Sequence, residues 1–142
     1  MRPLIPEFNR VVLELAPRFD ARPVAPASFA ELMALDMAAP MPVRDGASHA
    51  TVYADPVVNH AFRAWHDAAH RAGGHAFTLE GERATREAQQ RAVLAAYPRA
   101  PKSWLALLRA EVDAQAEHFT RTGVFPVNQA AFIREQMEEW HG

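Results

Sequence analysis

The sequence predicts an all-α protein, a bundle of about four helices with a proline-rich N-terminal arm carrying two short helices. Three observations lead there. Eight of the eleven prolines (Pro3, Pro6, Pro17, Pro23, Pro26, Pro40, Pro42 and Pro56) fall in the first 56 residues. Proline lacks an amide donor and clashes with the preceding turn, so no long helix runs through that region. From Asp55 onward, helix-start and helix-stop signals alternate around apolar residues at helical spacing. Finally, 49% hydrophobic and 23% charged residues is the composition of a globular chain. We therefore expect one domain, with residues 1–54 as the arm and 55–142 as the bundle.

In the arm, Phe8, Val11, Val12 and Leu15 share one side of a helix over residues 6–15. The run "SFAE" is a capping box, with Ser28 accepting from the Glu31 amide, and opens a second helix ending near Ala38. Residues 40–50 read as loop, and "ATVYA" (50–54) as a candidate strand without a visible partner. Asp55 before Pro56 is a strong start signal for a helix that Gly73 and Gly74 stop. Thr78 opens the next helix, which Pro98 stops after Tyr97. A third, from Pro101 to Gly123, carries Trp104, Leu105, Leu108, Val112 and Phe119. The last starts near Asn128 and carries Phe132, Ile133, Met137 and Trp140.

Several function classes lose support. Net charge is −2 with acids and bases interleaved, so no phosphate-binding stripe is present and nucleic acid is not expected as a partner. There is no cysteine, which removes disulfides, thiolate metal sites and a cysteine nucleophile. The first 19 residues have neither a signal peptide's apolar core nor a membrane span, so we expect a cytoplasmic protein without membrane contact. Lys102 is the only lysine and alanine is abundant, which reads as the coding bias of a GC-rich bacterial genome. "AGGH" follows a helix instead of opening one, unlike a phosphate loop. Ser28, Ser48 and Ser103 sit at caps or in loop, outside any nucleophile elbow. The aromatic residues of the last two helices read as packing core, with an oligomer or protein partner as the other use for such surface.

The chemistry concentrates in "FRAWHDAAHRAGGHAF" (62–77). On a helical wheel Val58, Phe62, Trp65 and Ala69 form the apolar face, His66 lies on its shoulder and His70 at its edge. Two imidazoles at i and i+4 can converge on one ion. The glycine turn brings the next helix back, so Glu80, Glu82 and Glu87 are reach-back carboxylates, with Glu82 favoured. Glu111, Gln115 and His118 form a further stripe that reaches the pair if helices 55–72 and 101–122 pack antiparallel. We expect one divalent ion (Zn, Mn or Fe) on His66, His70 and Glu82. Against this stands the ordinary reading, in which edge histidines simply make local hydrogen bonds.

"HDAAH" differs from the zincin H-E-x-x-H by a shorter acid, and lacks a downstream third ligand. As an HD-type phosphohydrolase doublet it is incomplete, although His60 and Asp113 are the nearest candidates for the missing members. The segment "FRAWHDAAH" followed by "FTLEGE" resembles small uncharacterised phage and prophage proteins with an aromatic–x–x–aromatic–His–Asp–x–x–His helix followed by phenylalanine and glutamate. The resemblance spans about residues 55–95 and singles out Trp65, His66, Asp67, His70, Phe77 and Glu82. It implies no activity. Two functions stay open: a phage-derived accessory or interaction module, and a metal-dependent hydrolase in which Asp67 orients His70 or acts as a base.

Overall fold

The computed structural model describes residues 2–47 and 50–141, the side chains of residues 139–141 excepted. Ser48 and the Trp140 side chain lie outside the described residues. Along the chain run α1 (Pro6–Leu15), β1 (Phe19–Arg22), α2 (Phe29–Met33), β2 (Met41–Arg44), α3 (Pro56–Gly73), α4 (Leu79–Ala96), α5 (Lys102–Arg109), a π-helical turn (Ala110–Ala114), α6 (Gln115–Thr122) and α7 (Gln129–His141). The protein is thus mostly helical, as expected.

The expectation of an all-α chain is corrected by a two-stranded parallel sheet, with Phe19 opposite Met41 and Arg22 opposite Arg44. β2 contains Pro42, which is why the segment reads as loop. A two-stranded sheet is all edge, and an edge strand tolerates a residue without an amide donor. The candidate strand 50–54 is instead a turn. Thr51, Val52 and Tyr53 are buried, Ala54 takes φ 56°, and the carbonyls of Val52 and Tyr53 accept from the Leu4 amide and Asn9 Nδ2. Its apolar character comes from burial beneath α1 rather than from strand pairing.

Helix α1 starts at Pro6 and buries Phe8, Val11 and Val12 completely. These join Phe62, Trp65, Val93, Leu107, Leu108 and Ile133 in the main core, so the arm contributes core side chains. A second cluster sets Leu32, Met41 and Val43 against Ala64 on the other side of α3. Helix α2 is shorter than its signals predict. Ser28 Oγ accepts from the Glu31 amide at 3.2 Å, but the Glu31 carboxylate reaches one residue further, to the Ala27 amide at 2.7 Å.

Helix α3 is capped as predicted. Asp55 accepts from the Val57 amide at 2.9 Å, and Gly74 ends the helix with φ 66°. Asp55→Ala removes that acceptor and is expected to cost about 1 kcal/mol in urea unfolding. The rod from Lys102 to Thr122 departs from regular geometry at the π-helical turn, whose five residues are all buried. One extra residue in a turn rotates everything after it relative to a regular helix. Phe119, expected in the core, is therefore 44% exposed and stacks on Phe125. The stripe of Glu111, Gln115 and His118 reaches the histidines only if helices 55–72 and 101–122 pack antiparallel; in the structure α4 contacts both α3 and the π-helical turn.

Candidate metal centre

The site grows from the α3–α4 hairpin. Thr78 Oγ1 accepts from the Gly81 amide at 3.0 Å and starts α4. Gly81 lies so close to the turn that a Cβ there would stand 1.8 Å from the Ala76 carbonyl oxygen. That close approach brings the first turn of α4, and Glu82 with it, against the end of α3. Glu82 Oε2 lies 2.7 Å from His66 Nε2 and 3.0 Å from His70 Nε2, and the two Nε2 atoms are 3.1 Å apart. These three residues are the only group of three or more ligand-type side chains converging this closely among the described residues.

The other ring nitrogen of each histidine decides what this triangle is. His70 Nδ1 faces the His75 carbonyl oxygen at 2.8 Å, and His66 Nδ1 faces Gln89 Oε1 at 2.7 Å. Both partners are acceptors, so each Nδ1 carries the hydrogen and donates it. In the neutral rings both Nε2 atoms then present lone pairs, toward each other and toward a carboxylate oxygen. Three lone-pair atoms cannot share that space unless a cation lies among them, either a proton or a metal ion.

Aromatic rings hold the imidazoles in place. Phe62 stacks on His66 at 5.9 Å, and Phe77 meets His70 edge-on at 4.9 Å. Phe29 from α2 braces Phe77 in turn. The His70 side chain is fully buried, while those of His66 and Glu82 are 16% and 24% exposed. The centre is closed on the His70 side and open toward His66 and Glu82. His70 is more deeply covered than its place at the edge of the apolar face predicts, because α4 covers that edge.

Electrostatics follow this geometry. Burial opposes charge on Glu82, but hydrogen bonds and attraction from both imidazoles win, and its pKa falls to about 2. Burial pulls His66 down, yet Glu82 and Gln89 outweigh it and the net shift is upward. Asp67 is raised, chiefly by burial against the pull of both histidines. It stands outside the converging trio.

Other expected ligands go elsewhere. Glu80 and Glu87 are exposed. Glu111 and Gln115 are buried and bonded to each other, with Gln115 Nε2 donating to Glu111 Oε2 at 3.1 Å. His118 packs against Phe132. His60 lies 3.3 Å from the Asp45 carbonyl oxygen, and Asp113 is held by both arms of Arg86 at 3.1 and 2.8 Å, so neither supplies a missing HD member. Gln89 escaped the sequence reading. Its signal was its place seven residues after Glu82, on the same face of α4.

Glu111 carries its own consequence. Burial, only partly offset by His66 and Arg63, pushes its pKa up to about 7. A raised carboxyl stabilises the fold fully below its unfolded pKa of 4.5, and that contribution is lost as pH rises through about 7. Glu111→Gln is therefore expected to be more stable than the parent at pH 8, by up to about 3 kcal/mol, with little gain at pH 4. Urea titrations at the two pH values check this.

The chain was compared with protein-family models, curated proteins and solved structures, and none of the three gives a match.

Proposed function

We propose that the protein binds one divalent transition-metal ion through His66, His70 and Glu82, and that it acts as a small metal-binding accessory module. The observation that carries the reading is the donor geometry: three lone-pair atoms 2.7–3.1 Å apart, with both Nδ1 hydrogens already committed to oxygen acceptors. Ligand atoms of a tetrahedral zinc centre with bonds of about 2.1 Å stand about 3.4 Å apart. Expansion of the three separations by about 0.3 to 0.7 Å therefore seats the ion. Two imidazoles and one carboxylate suit zinc, iron or manganese, with no thiolate to favour copper(I). Gln89 and the His75 carbonyl are the oxygen partners that fix the ring tautomers.

Protein purified without a histidine tag is expected to carry, or take up from added zinc, one ion per chain. The His66→Ala, His70→Ala double variant is expected to carry none. A parent protein that takes up no ion, with a melting temperature indifferent to zinc and to chelator, overturns the reading.

A second reading, metal-assisted hydrolysis, is favoured by one observation. Three protein ligands with Glu82 and His66 partly exposed leave a face where water and substrate can reach the ion. Asp67, close enough to both imidazoles to feel their charge, is the base this reading would use. Zinc-dependent cleavage of a simple aryl ester or phosphodiester, lost in Asp67→Asn with the ion retained, separates the second reading from the first. Kinship with phage-type proteins, a cytoplasmic setting and a protein partner or second copy belong to the same proposal. Their support is the segment from Trp65 to Glu82 and the fact that no helix among the described residues is long and apolar enough to cross a membrane.

A further inference from the structure

The two edges of the small sheet are not alike. The Met41 amide donates to the Arg18 carbonyl at 2.8 Å, and the Asp45 amide to the Arg22 carbonyl at 2.9 Å. In a parallel ladder, alternate residues turn their backbone groups to alternate sides. Asp20 and Arg22 therefore bond across to β2, whereas the amides and carbonyls of Phe19 and Ala21 point away from it. On β2 the outward positions are Pro42 and Arg44. Pro42 has no amide to offer, and the Arg44 carbonyl accepts from Arg63 Nη1, so that edge is closed. On β1, nothing among the described residues hydrogen-bonds the outward amide or carbonyl of Ala21. Asp20, Ala21 and Arg22 are all exposed. An open edge of this kind takes another strand.

The side chains say which strand. Asp20 and Arg22 lie on one face, 53% and 55% exposed, and pair with each other at 2.9 Å. An antiparallel copy of β1 turned about Ala21 sets Asp20 across from Arg22 of that copy, twice over. Turned about Asp20 instead, it would set two Asp20 carboxylates against each other, which is unfavourable. We propose that β1 pairs antiparallel with β1 of a second copy about a twofold axis at Ala21, joining two two-stranded sheets into one. The two Ala21 residues exchange both backbone hydrogen bonds. Asp20 and the partner's Arg22 form the neighbouring pair, where the backbones approach to about 4.5 Å. Pro17 and Pro23 bracket the strand, which keeps the pairing short and the dimer weak. The closed β2 edges stop assembly at two copies. The pairing gives a surface to the second copy proposed with the metal-binding module, and it stands whether or not an ion is bound.

The test uses the full, metal-free chain, labelled with nitrogen-15 and studied from high dilution up to about 1 mM, as a small interface requires. The parent is expected to dimerise reversibly in sedimentation equilibrium, with hydrogen exchange at the Ala21 amide slowing as the dimer fills. Asp20→Arg and Arg22→Asp, both at exposed positions, put like charges across the axis. Each is expected to weaken self-association by at least about tenfold. Mixed in equal amounts, the two variants are expected to form a heterodimer at least as tight as the parent, because every facing pair is again opposite in charge. Ala21→Pro removes the outward amide and leaves the ladder to β2 intact, so it is expected to abolish the dimer with an unchanged circular dichroism spectrum. The proposal is overturned if the parent stays monomeric throughout, if the mixture associates no better than either variant alone, or if Ala21→Pro still dimerises. Zinc uptake is read separately, and its outcome bears on none of these.

Discussion

Gly81→Ala is expected to cost about 3 kcal/mol or more of folding stability and to weaken zinc binding by at least about tenfold. The added methyl would stand 1.8 Å from the Ala76 carbonyl oxygen, and the obstacle is backbone. The turn or the start of α4 must therefore move. That turn carries the His75 carbonyl that accepts from His70 Nδ1, and α4 carries Glu82 on the next residue. Displacing either opens the triangle. Gly73→Ala is the matched control. Its Cβ would meet the His75 ring, a side chain free to swing aside, so a loss of less than about 1 kcal/mol is expected. Urea unfolding and zinc titration of both variants measure the contrast. Equal, small effects would mean that the turn does not organise the site.

Metal-free and zinc-loaded protein are expected to respond to pH in opposite directions. Glu82, lowered to about 2, stabilises the fold above its unfolded pKa of 4.5 and loses that contribution as pH falls toward 2. His66, raised above 6.5, stabilises below 6.5 and loses that contribution as pH rises through its folded pKa. The metal-free triangle is therefore most stabilising between about pH 4.5 and 6.5, where a proton supplies the positive charge. Zinc needs the same lone pairs, so its affinity is expected to fall by about tenfold or more per pH unit below the His66 pKa. Saturating zinc, at a thousandfold excess over its dissociation constant, adds about 4 kcal/mol. On heating, the two curves should diverge from pH 6 to pH 8, the metal-free protein losing stability and the loaded one gaining. The Glu111→Gln background removes the carboxyl whose pKa of about 7 falls inside that window. Parallel curves would separate the ion from the imidazoles.

Local chemistry made much of this readable in advance. Asp55 with Pro56, Thr78, and the Gly73–Gly74 pair each act within one turn, so the ends of α3 and the start of α4 follow from neighbouring residues alone. The i, i+4 spacing put His66 and His70 on one side of a helix, and the glycine turn narrowed the third member to the start of α4. Which of Glu80, Glu82 and Glu87 meets the imidazoles is set by the phase of α4. That phase shows in the finished fold as buried Gly81, Thr85 and Gln89 flanking its inward side.

What only tertiary structure decided depends on partners distant along the chain. The sheet pairs strands about 20 residues apart across a proline, with no signal in either alone. Similarly, the π-helical turn is a break in period that apolar spacing hides. It rotated Phe119 outward and set Glu111 and Asp113 among partners of their own, away from His66 and His70. The ring tautomers needed the Gln89 amide and the His75 carbonyl, placed there by packing. By itself the sequence determined which side chains could meet an ion. Packing decided that, among the described residues, three of them converge, because backbone contacts brought α4 onto α3 and turned other acids elsewhere.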